Sequence, residues 1–122
     1  MRLKVLALTL PLFLISTPIF ADAATKQIAS IIMGLNHHPS DAEKGELKKI
    51  AADAQSSDAV KTIATALMTM DHNVSSSDKQ QLKAIADDAK APAEVRDLAA
   101  ILMSISHKPS AADKQKLTSL SK

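Results

Sequence analysis

The chain contains no cysteine, tryptophan or tyrosine, and its two phenylalanines, Phe13 and Phe20, both lie close to the N-terminus. Without cysteine there is no disulfide, no thiolate zinc site, no cysteine-ligated iron–sulfur cluster and no covalent c-type haem. Without aromatic rings beyond Phe20 there is no stacking surface for bases and no aromatic cage for a cation. Stability must therefore come from the packing of aliphatic side chains and methionine.

Glycine is also scarce. Gly34 and Gly45 are the only two glycines in the chain, so no G-x-G-x-x-G or phosphate-binding loop is present. The spacing of a nucleophile elbow is missing too, and the serine-rich segment 75–78 is better explained as a helix cap. The acidic pair Asp87 and Asp88 points to different faces of a helix. The sequence therefore predicts a protein that is not an enzyme.

The chain has no large excess of one charge. Lysine and arginine number 15, aspartate and glutamate number 13, and the formal net charge is +2. This balance provides no basic field to attract nucleic acid or an anionic membrane surface. We therefore expect neither of these as a partner.

The N-terminal segment has the pattern of a secretory signal peptide. Two basic residues precede an apolar stretch, residues 5–20, and cleavage after Ala21 or after Ala23 fits the small-x-small rule equally well. The alternative is an uncleaved anchor, but the stretch is shorter than the ~20 residues that span a bilayer and contains two prolines. Residues 1–23 are therefore predicted to be a signal peptide. We expect a periplasmic or secreted protein with no stable membrane insertion after cleavage.

The rest of the chain, residues 24–122, matches itself without a gap at a shift of 35 residues. The coincident sets include Met33, Met68 and Met103; His37, His72 and His107; Ser40, Ser75 and Ser110; and Leu47, Leu82 and Leu117. A fixed period of this size is typical of stacked supersecondary units. The sequence therefore predicts one domain of three tandem repeats, at approximately 24–57, 58–92 and 93–122.

Each predicted repeat carries two apolar stripes at the spacing of an amphipathic helix. The stripes of the first helices are Ile28, Ile31, Ile32 and Leu35; Ile63, Ala66, Leu67 and Met70; and Leu98, Ile101, Leu102 and Ile105. The stripes of the second helices include Leu47, Ile50, Ala51 and Ala54, and Leu82, Ile85, Ala86 and Ala89. These patterns predict six helices and no strands.

Serines indicate where the second helices begin. Ser40, Ser75 and Ser110 each precede an acidic residue by three positions, which is the pattern of a capping box. Pro92 is expected at the first position of a later helix, where the missing N–H of proline removes no hydrogen bond. Short connections between the helices predict antiparallel neighbours.

With this period and helix pairing, the chain from residue 24 resembles the tetratricopeptide-type solenoids. The resemblance is confined to repeat length and hairpin form, because the tryptophan, tyrosine and phenylalanine positions of that family are absent here. It implies an architecture and no binding residues. The predicted fold is therefore all-α, a short solenoid or bundle of three helix-turn-helix repeats, with a polar C-terminal unit that has no neighbour to cover it.

A second stripe runs along each first helix, away from the apolar one, with alanine, methionine and histidine at intervals of four residues. Its candidate metal ligands are Met33, His37, Met68, His72, Met103 and His107. At this spacing on a helix the β-carbons of methionine and histidine lie only ~5–6 Å apart, so a thioether and an imidazole can converge on one ion. Thioethers select soft ions, and the predicted metal is therefore Cu(I) or Ag(I).

Helix packing explains the same stripe without a metal. Alanine allows close approach of helices, methionine fills irregular gaps, and histidine at a helix C-terminus meets the negative end of the helix dipole. Zinc is matched less well than copper, because four ligands are usual and each repeat aligns only two. Haem on methionine and histidine ligands would normally need an aromatic pocket as well.

Two functions follow from these patterns. The leading hypothesis is an exported, non-enzymatic repeat protein without a cofactor, which serves as a protein-interaction or envelope scaffold for an unknown protein partner in the cell envelope. The alternative is a periplasmic copper- or silver-binding protein that uses the Met-x3-His pairs. A homo-oligomer is compatible with either, because a domain of this size without aromatic residues has a thin core.

Overall fold

The computed structural model describes residues 23–122, and within them it has six helices joined by short loops. The helices are α1 (described over residues 23–33), α2 (Asp41–Ala52), α3 (Asp58–Thr69), α4 (Ser76–Ala86), α5 (Ala93–Ser104) and α6 (Ala111–Leu120). The same residues contain isolated β-bridges but no strand. The all-helical prediction is confirmed. The predicted signal peptide lies outside the described residues, except for Ala23.

The second helices begin at the serines that the sequence indicates. Ser40, Ser75 and Ser110 are the N-caps of α2, α4 and α6, and each side-chain oxygen accepts a hydrogen bond from the backbone N–H three residues later. The capping box is complete in α2 and α6, where the acidic side chain also accepts from the serine N–H. Pro92 differs slightly from its prediction, because it is the N-cap of α5 and the helix begins at Ala93.

The core is built from the apolar stripes predicted for the first helices. All of these positions are buried, from Ile28 in α1 to Ile105 directly after α5. Burying one aliphatic side chain of this size contributes about 1.5–3 kcal/mol, so these stripes supply most of the apolar stabilisation. They are the contacts that hold the first helices in place.

The second helices bury fewer side chains than predicted. Their fully buried leucines are Leu47, Leu82 and Leu117. Ala54 and Ala89 are exposed, because α2 and α4 end before them and both alanines lie in loops. In those loops Asp53 and Asp88 each accept a hydrogen bond from the backbone N–H two residues later. Such local turns compete with continued helix and explain the early helix ends.

The helices form a closed arrangement. α2 packs against α3, α4 packs against α5, and α3 also contacts α4 and α5. The first and last helices of the described residues are in contact, since the Thr118 hydroxyl of α6 donates to the Met33 sulfur of α1 over 3.3 Å. The backbone N–H of His37 also donates to the carbonyl of His107. An open solenoid would separate these segments, so of the two predicted forms, short solenoid or bundle, the contacts favour the bundle.

Small side chains on the first helices help to explain the closure. Ala29, Ala64 and Ala99 have no exposed surface. The distance between packed helix axes depends on the side chains at the contact, and alanine permits a short one. The second stripe predicted on the first helices therefore begins with a helix-packing position. Among the helices in residues 23–122, none is long and apolar enough to cross a bilayer.

Leu117 is the one buried side chain of α6. We predict that Leu117→Ala lowers the free energy of unfolding by about 2–5 kcal/mol, because it leaves a cavity where α6 docks. Urea unfolding followed by far-UV circular dichroism measures this change. Leu120→Ala is the matched control, since Leu120 is only partly buried in the same helix, and we expect it to lose less than about 1 kcal/mol. Equal losses for the two variants would contradict the packing of α6 through Leu117.

Candidate metal centre

Three turns lie together where the first helices connect to the second helices. They consist of residues 36–38, 71–73 and 106–108, and the central residues are His37, His72 and His107. These histidines lie beyond the ends of α1, α3 and α5 rather than within them. The helical i, i+4 geometry that the sequence predicts for each methionine–histidine pair is therefore not present.

Buried apolar residues hold each turn on both sides. Those before the turns are Leu35, Met70 and Ile105, and those after them are Pro39, Val74 and Pro109. The chain leaves helices α3 and α5 in extended conformation at Met70 and Ile105. Because the residues on either side are anchored in the core, the turn between them has little freedom to move its histidine.

Each central histidine has a backbone conformation that residues other than glycine rarely adopt. The φ angle is 73° at His37, 73° at His72 and 74° at His107. In two of the turns the residue after the histidine donates its N–H to the carbonyl of the residue before it, at 2.9 Å. With positive φ this bond defines the rare, strained form of the γ-turn. A strained residue of this kind costs on the order of 1–3 kcal/mol, which glycine would avoid.

A closed ring of backbone hydrogen bonds stabilises the strained histidines. His37 donates to the carbonyl of His107 at 2.6 Å, His72 donates to His37 at 2.9 Å, and His107 donates to His72 at 2.7 Å. A hydrogen bond within a protein contributes about 0.5–1.5 kcal/mol net, so the ring offsets a substantial part of the strain. It also sets the spacing between the three residues.

The three imidazoles converge on one point. Their Nδ1 atoms form a nearly equilateral triangle with edges of 3.0, 3.1 and 3.1 Å. The ring centroids are 4.8–5.0 Å apart and the rings meet at steep angles of 72–87°, so they are edge-on rather than stacked. All three residues are solvent-exposed. The cluster is thus a surface site formed by one side chain from each turn.

The three imidazoles cannot satisfy one another in this arrangement. A neutral imidazole carries a proton on one ring nitrogen and a lone pair on the other. If no Nδ1 atom carries a proton, three lone pairs face each other at hydrogen-bond distance. One shared proton joins two nitrogens and leaves the third without a donor. A cation at the centre would accept all three lone pairs, so the cluster has the donor set of a metal site.

The triangle has the size that metal–nitrogen bonds require. With edges of 3.0–3.1 Å, the nitrogens lie about 1.8 Å from the centre, and a point about 1 Å above the plane is about 2.0–2.1 Å from each, the usual Zn–N distance. A first-row transition metal ion therefore fits the three nitrogens without movement of the backbone.

A carboxylate lies beside one of the rings. Asp71 Oδ1 is 3.9 Å from His72 Nε2, and 81% of the Asp71 side-chain surface is exposed. When Nδ1 binds a metal, the proton of the neutral ring is on Nε2 and can be stabilised by a carboxylate next to it. Positions 36 and 106 hold Asn and Ser, so His72 is the one ligand candidate with an acidic residue directly before it.

The structure brings the three predicted histidines together and leaves the three predicted methionines on the helices. Met33, Met68 and Met103 are partly buried and pack against the core. The fourth histidine, His38, has its Nδ1 3.0 Å from the Pro39 carbonyl and is not a corner of the triangle. The arrangement that the structure shows is three imidazoles from three turns.

The surface cavities lie elsewhere. One cavity, with a volume of about 340 Å³, is lined by residues of α3, α4 and the loop after α4, including Thr62 and Ile85. It shares no residue with the histidine cluster, and its lining is mixed and wide open to solvent. The histidine cluster is therefore the feature with the clearest chemistry.

Comparison with known proteins yields no assignment, since no protein-family model matches the chain and no curated protein or solved structure is significantly similar to it. Fold and site together define an all-α protein with an exposed three-histidine cluster.

We predict that glycine is better tolerated than alanine at the histidine positions. In metal-free buffer, His37→Gly should be more stable than His37→Ala by about 1–2 kcal/mol, because glycine adopts positive φ without a Cβ clash. Urea midpoints of the two variants measure the difference. Gln80 provides the control, since it is exposed within α4 and should show the reverse order, with glycine about 1 kcal/mol worse than alanine. An alanine variant at position 37 as stable as the glycine variant would contradict the strained turn.

Proposed function

We propose that this chain is a metal-binding protein that holds one divalent first-row transition metal ion on His37, His72 and His107. The observation that supports the proposal is the triangle of Nδ1 atoms, with edges of 3.0–3.1 Å. Each ligand sits at a strained backbone position, although glycine would fit there with less strain. The presence of histidine at all three of these strained positions is best explained if the imidazoles bind a metal ion.

The donor set favours ions of intermediate softness. Imidazole suits Zn²⁺, Cu²⁺ and Ni²⁺, whereas soft Cu(I) prefers thiolate and thioether ligands. The sulfur atoms of Met33, Met68 and Met103 are on helices rather than in the turns, so they add little to a soft-metal site. The proposal therefore keeps the histidines of the Met-x3-His alternative and replaces its copper(I) with a divalent ion.

The repeat pattern explains how one site arises from three segments. In our proposal, three repeats of 35 residues close around a common axis, and each supplies one strained turn with one ligand. The ion would then join the first, second and third repeats, so that metal binding also stabilises the folded chain relative to the unfolded one.

We further propose that binding takes place outside the cytoplasm and without catalysis. The signal-peptide pattern of residues 1–23 supports an exported protein. Exposure of the three histidines would allow an ion to enter and leave from solvent, as in capture or transfer of a metal. The scaffold hypothesis remains a prediction, and the partial burial of Met33, Met68 and Met103 leaves less apolar surface on the first helices for a protein partner.

The protein should bind one Zn²⁺, Cu²⁺ or Ni²⁺ ion per chain in a competition titration against a chromophoric chelator. Each single change, His37→Gly, His72→Gly or His107→Gly, removes a direct ligand and should lower the affinity by more than about 100-fold, beyond the effect of an outer-shell contact. Because glycine suits the turn, the variants are expected to remain folded, which circular dichroism verifies.

Two control variants separate the alternatives. His38→Gln changes the one histidine outside the cluster and should leave the affinity unchanged. Replacing Met33, Met68 and Met103 with leucine should also have no effect on divalent ions. Loss of binding in a leucine variant that is still folded would support the Met-x3-His site and refute ours, because only that site uses the sulfur atoms. No binding above background in the wild-type protein would refute both.

Asp71 should strengthen binding through His72. We predict that Asp71→Asn lowers the metal affinity by about tenfold, because a carboxylate beside Nε2 stabilises the ring proton and orients the ligand. Ser106→Asp places the same group before His107 and should raise the affinity. Asn73→Asp adds an equal charge after His72 and serves as the control for charge alone. If Asn73→Asp raises the affinity as much as Ser106→Asp does, the position of the carboxylate is irrelevant.

A further inference from the structure

The three nitrogens span one face of an octahedron rather than of a tetrahedron. At metal–nitrogen distances of about 2.1 Å, edges of 3.0–3.1 Å correspond to N–metal–N angles of about 91–95°. A tetrahedral ion with bonds of the same length would separate the nitrogens by about 3.4 Å. The backbone ring holds the three residues together, and the spacing of the nitrogens as it stands matches the octahedral face. The cluster therefore favours an ion with six ligands, and three of them come from outside the cluster.

No buried residue of the three turns is placed to provide the three missing ligands. The residues that flank the three histidines are Asn36, His38, Asp71, Asn73, Ser106 and Lys108, and all of them are exposed. Three neutral imidazoles leave the charge of a divalent ion uncompensated, and Asp71 is the one carboxylate within these turns. The open positions are therefore adjacent to one another, accessible to solvent, and electrostatically suited to anionic oxygen donors.

The polar side chains that flank the three histidines indicate what kind of molecule would occupy the open positions. Stable protein interfaces have an apolar or aromatic centre and bury on the order of 800 Å² per partner. The three turns present polar side chains only, so they lack such a centre. A small polar chelator needs no apolar anchor. The amine of Lys108, which directly follows His107, is a hydrogen-bond donor for a carboxylate bound there.

We propose that the site binds a six-coordinate divalent ion together with a small chelating carboxylate, which fills the three outer positions as a tridentate ligand. This inference rests on the proposed metal-binding function and specifies its ligand: the protein takes up the metal as a chelate rather than as a free ion. The protein provides one face of the octahedron, and a compact molecule with three donors, at least one of them a carboxylate and the others carboxylate, amine or imidazole, provides the other.

Cobalt(II) and iminodiacetate test the proposal on the full mature chain. Co²⁺ is first titrated alone, and weak visible absorption is expected because six-coordinate Co²⁺ absorbs far less than the tetrahedral ion. Iminodiacetate is then added, and native mass spectrometry should show protein, cobalt and chelator in a 1:1:1 complex. Tethered donors bind intramolecularly after the first, so iminodiacetate should bind the loaded protein at least about 100-fold more tightly than acetate does.

Variants assign the ternary complex to this surface. The protein with glycine at positions 37, 72 and 107 should bind neither cobalt nor the chelator. Lys108→Asn, which copies the residue at the matching position 73, should weaken iminodiacetate binding several-fold and leave cobalt affinity unchanged. Lys79→Asn, in α4, is the control and should alter neither.

The possible failures are distinguishable. No cobalt binding would overturn both the metal-binding function and the chelate. Cobalt binding with intense tetrahedral absorption would leave the function intact and overturn the chelate. Removal of cobalt by iminodiacetate without a ternary complex would also overturn the chelate. A dimer of two chains around one ion that excludes iminodiacetate would overturn it too, because a second copy of the chain would then occupy the outer positions.

Discussion

The structure depends on a ring of three backbone hydrogen bonds between His37, His72 and His107. This ring joins residues that are 35 and 70 positions apart, and it does so at the one point in each turn where the backbone is strained. The bonds offset the strain, while the buried residues on either side of each turn prevent it from relaxing. Hydrogen bonding, strain and core packing are therefore coupled at a single place in the fold.

Closure of the helical arrangement and convergence of the imidazoles follow from this constraint. A ring of three hydrogen bonds requires the first and last turns to meet. The contact between Met33 in α1 and Thr118 in α6 shows that the helices next to these turns also meet. Once the three α-carbons are held around one axis with the same positive φ, equivalent side-chain conformations direct the Nδ1 atoms to a common point. The three nitrogens lie close together because the backbone has already brought their residues together.

The same arrangement explains how a core without tryptophan, tyrosine or phenylalanine among residues 23–122 can position three side chains together. Burial of Leu35, Met70 and Ile105 before the turns, and of Val74 after the second, fixes the turns from the core. Ligands that are held in place before an ion arrives lose little conformational freedom when it binds, and affinity improves for that reason. The three imidazoles are exposed, so an ion bound as we propose would have its other side open to solvent.

The amino-acid sequence by itself determined the local structure. Helical periodicity placed Ile28 and Leu98 in the core, and the serine caps set the starts of α2, α4 and α6, because caps and amphipathic stripes depend on residues within one or two turns of helix. The sequence also singled out all three histidines. Only the tertiary structure decided how they act: the helices end before the histidines, and the turns of different repeats meet. Both outcomes depend on hydrogen bonds between distant residues, such as His37 to His107, which no local spacing encodes.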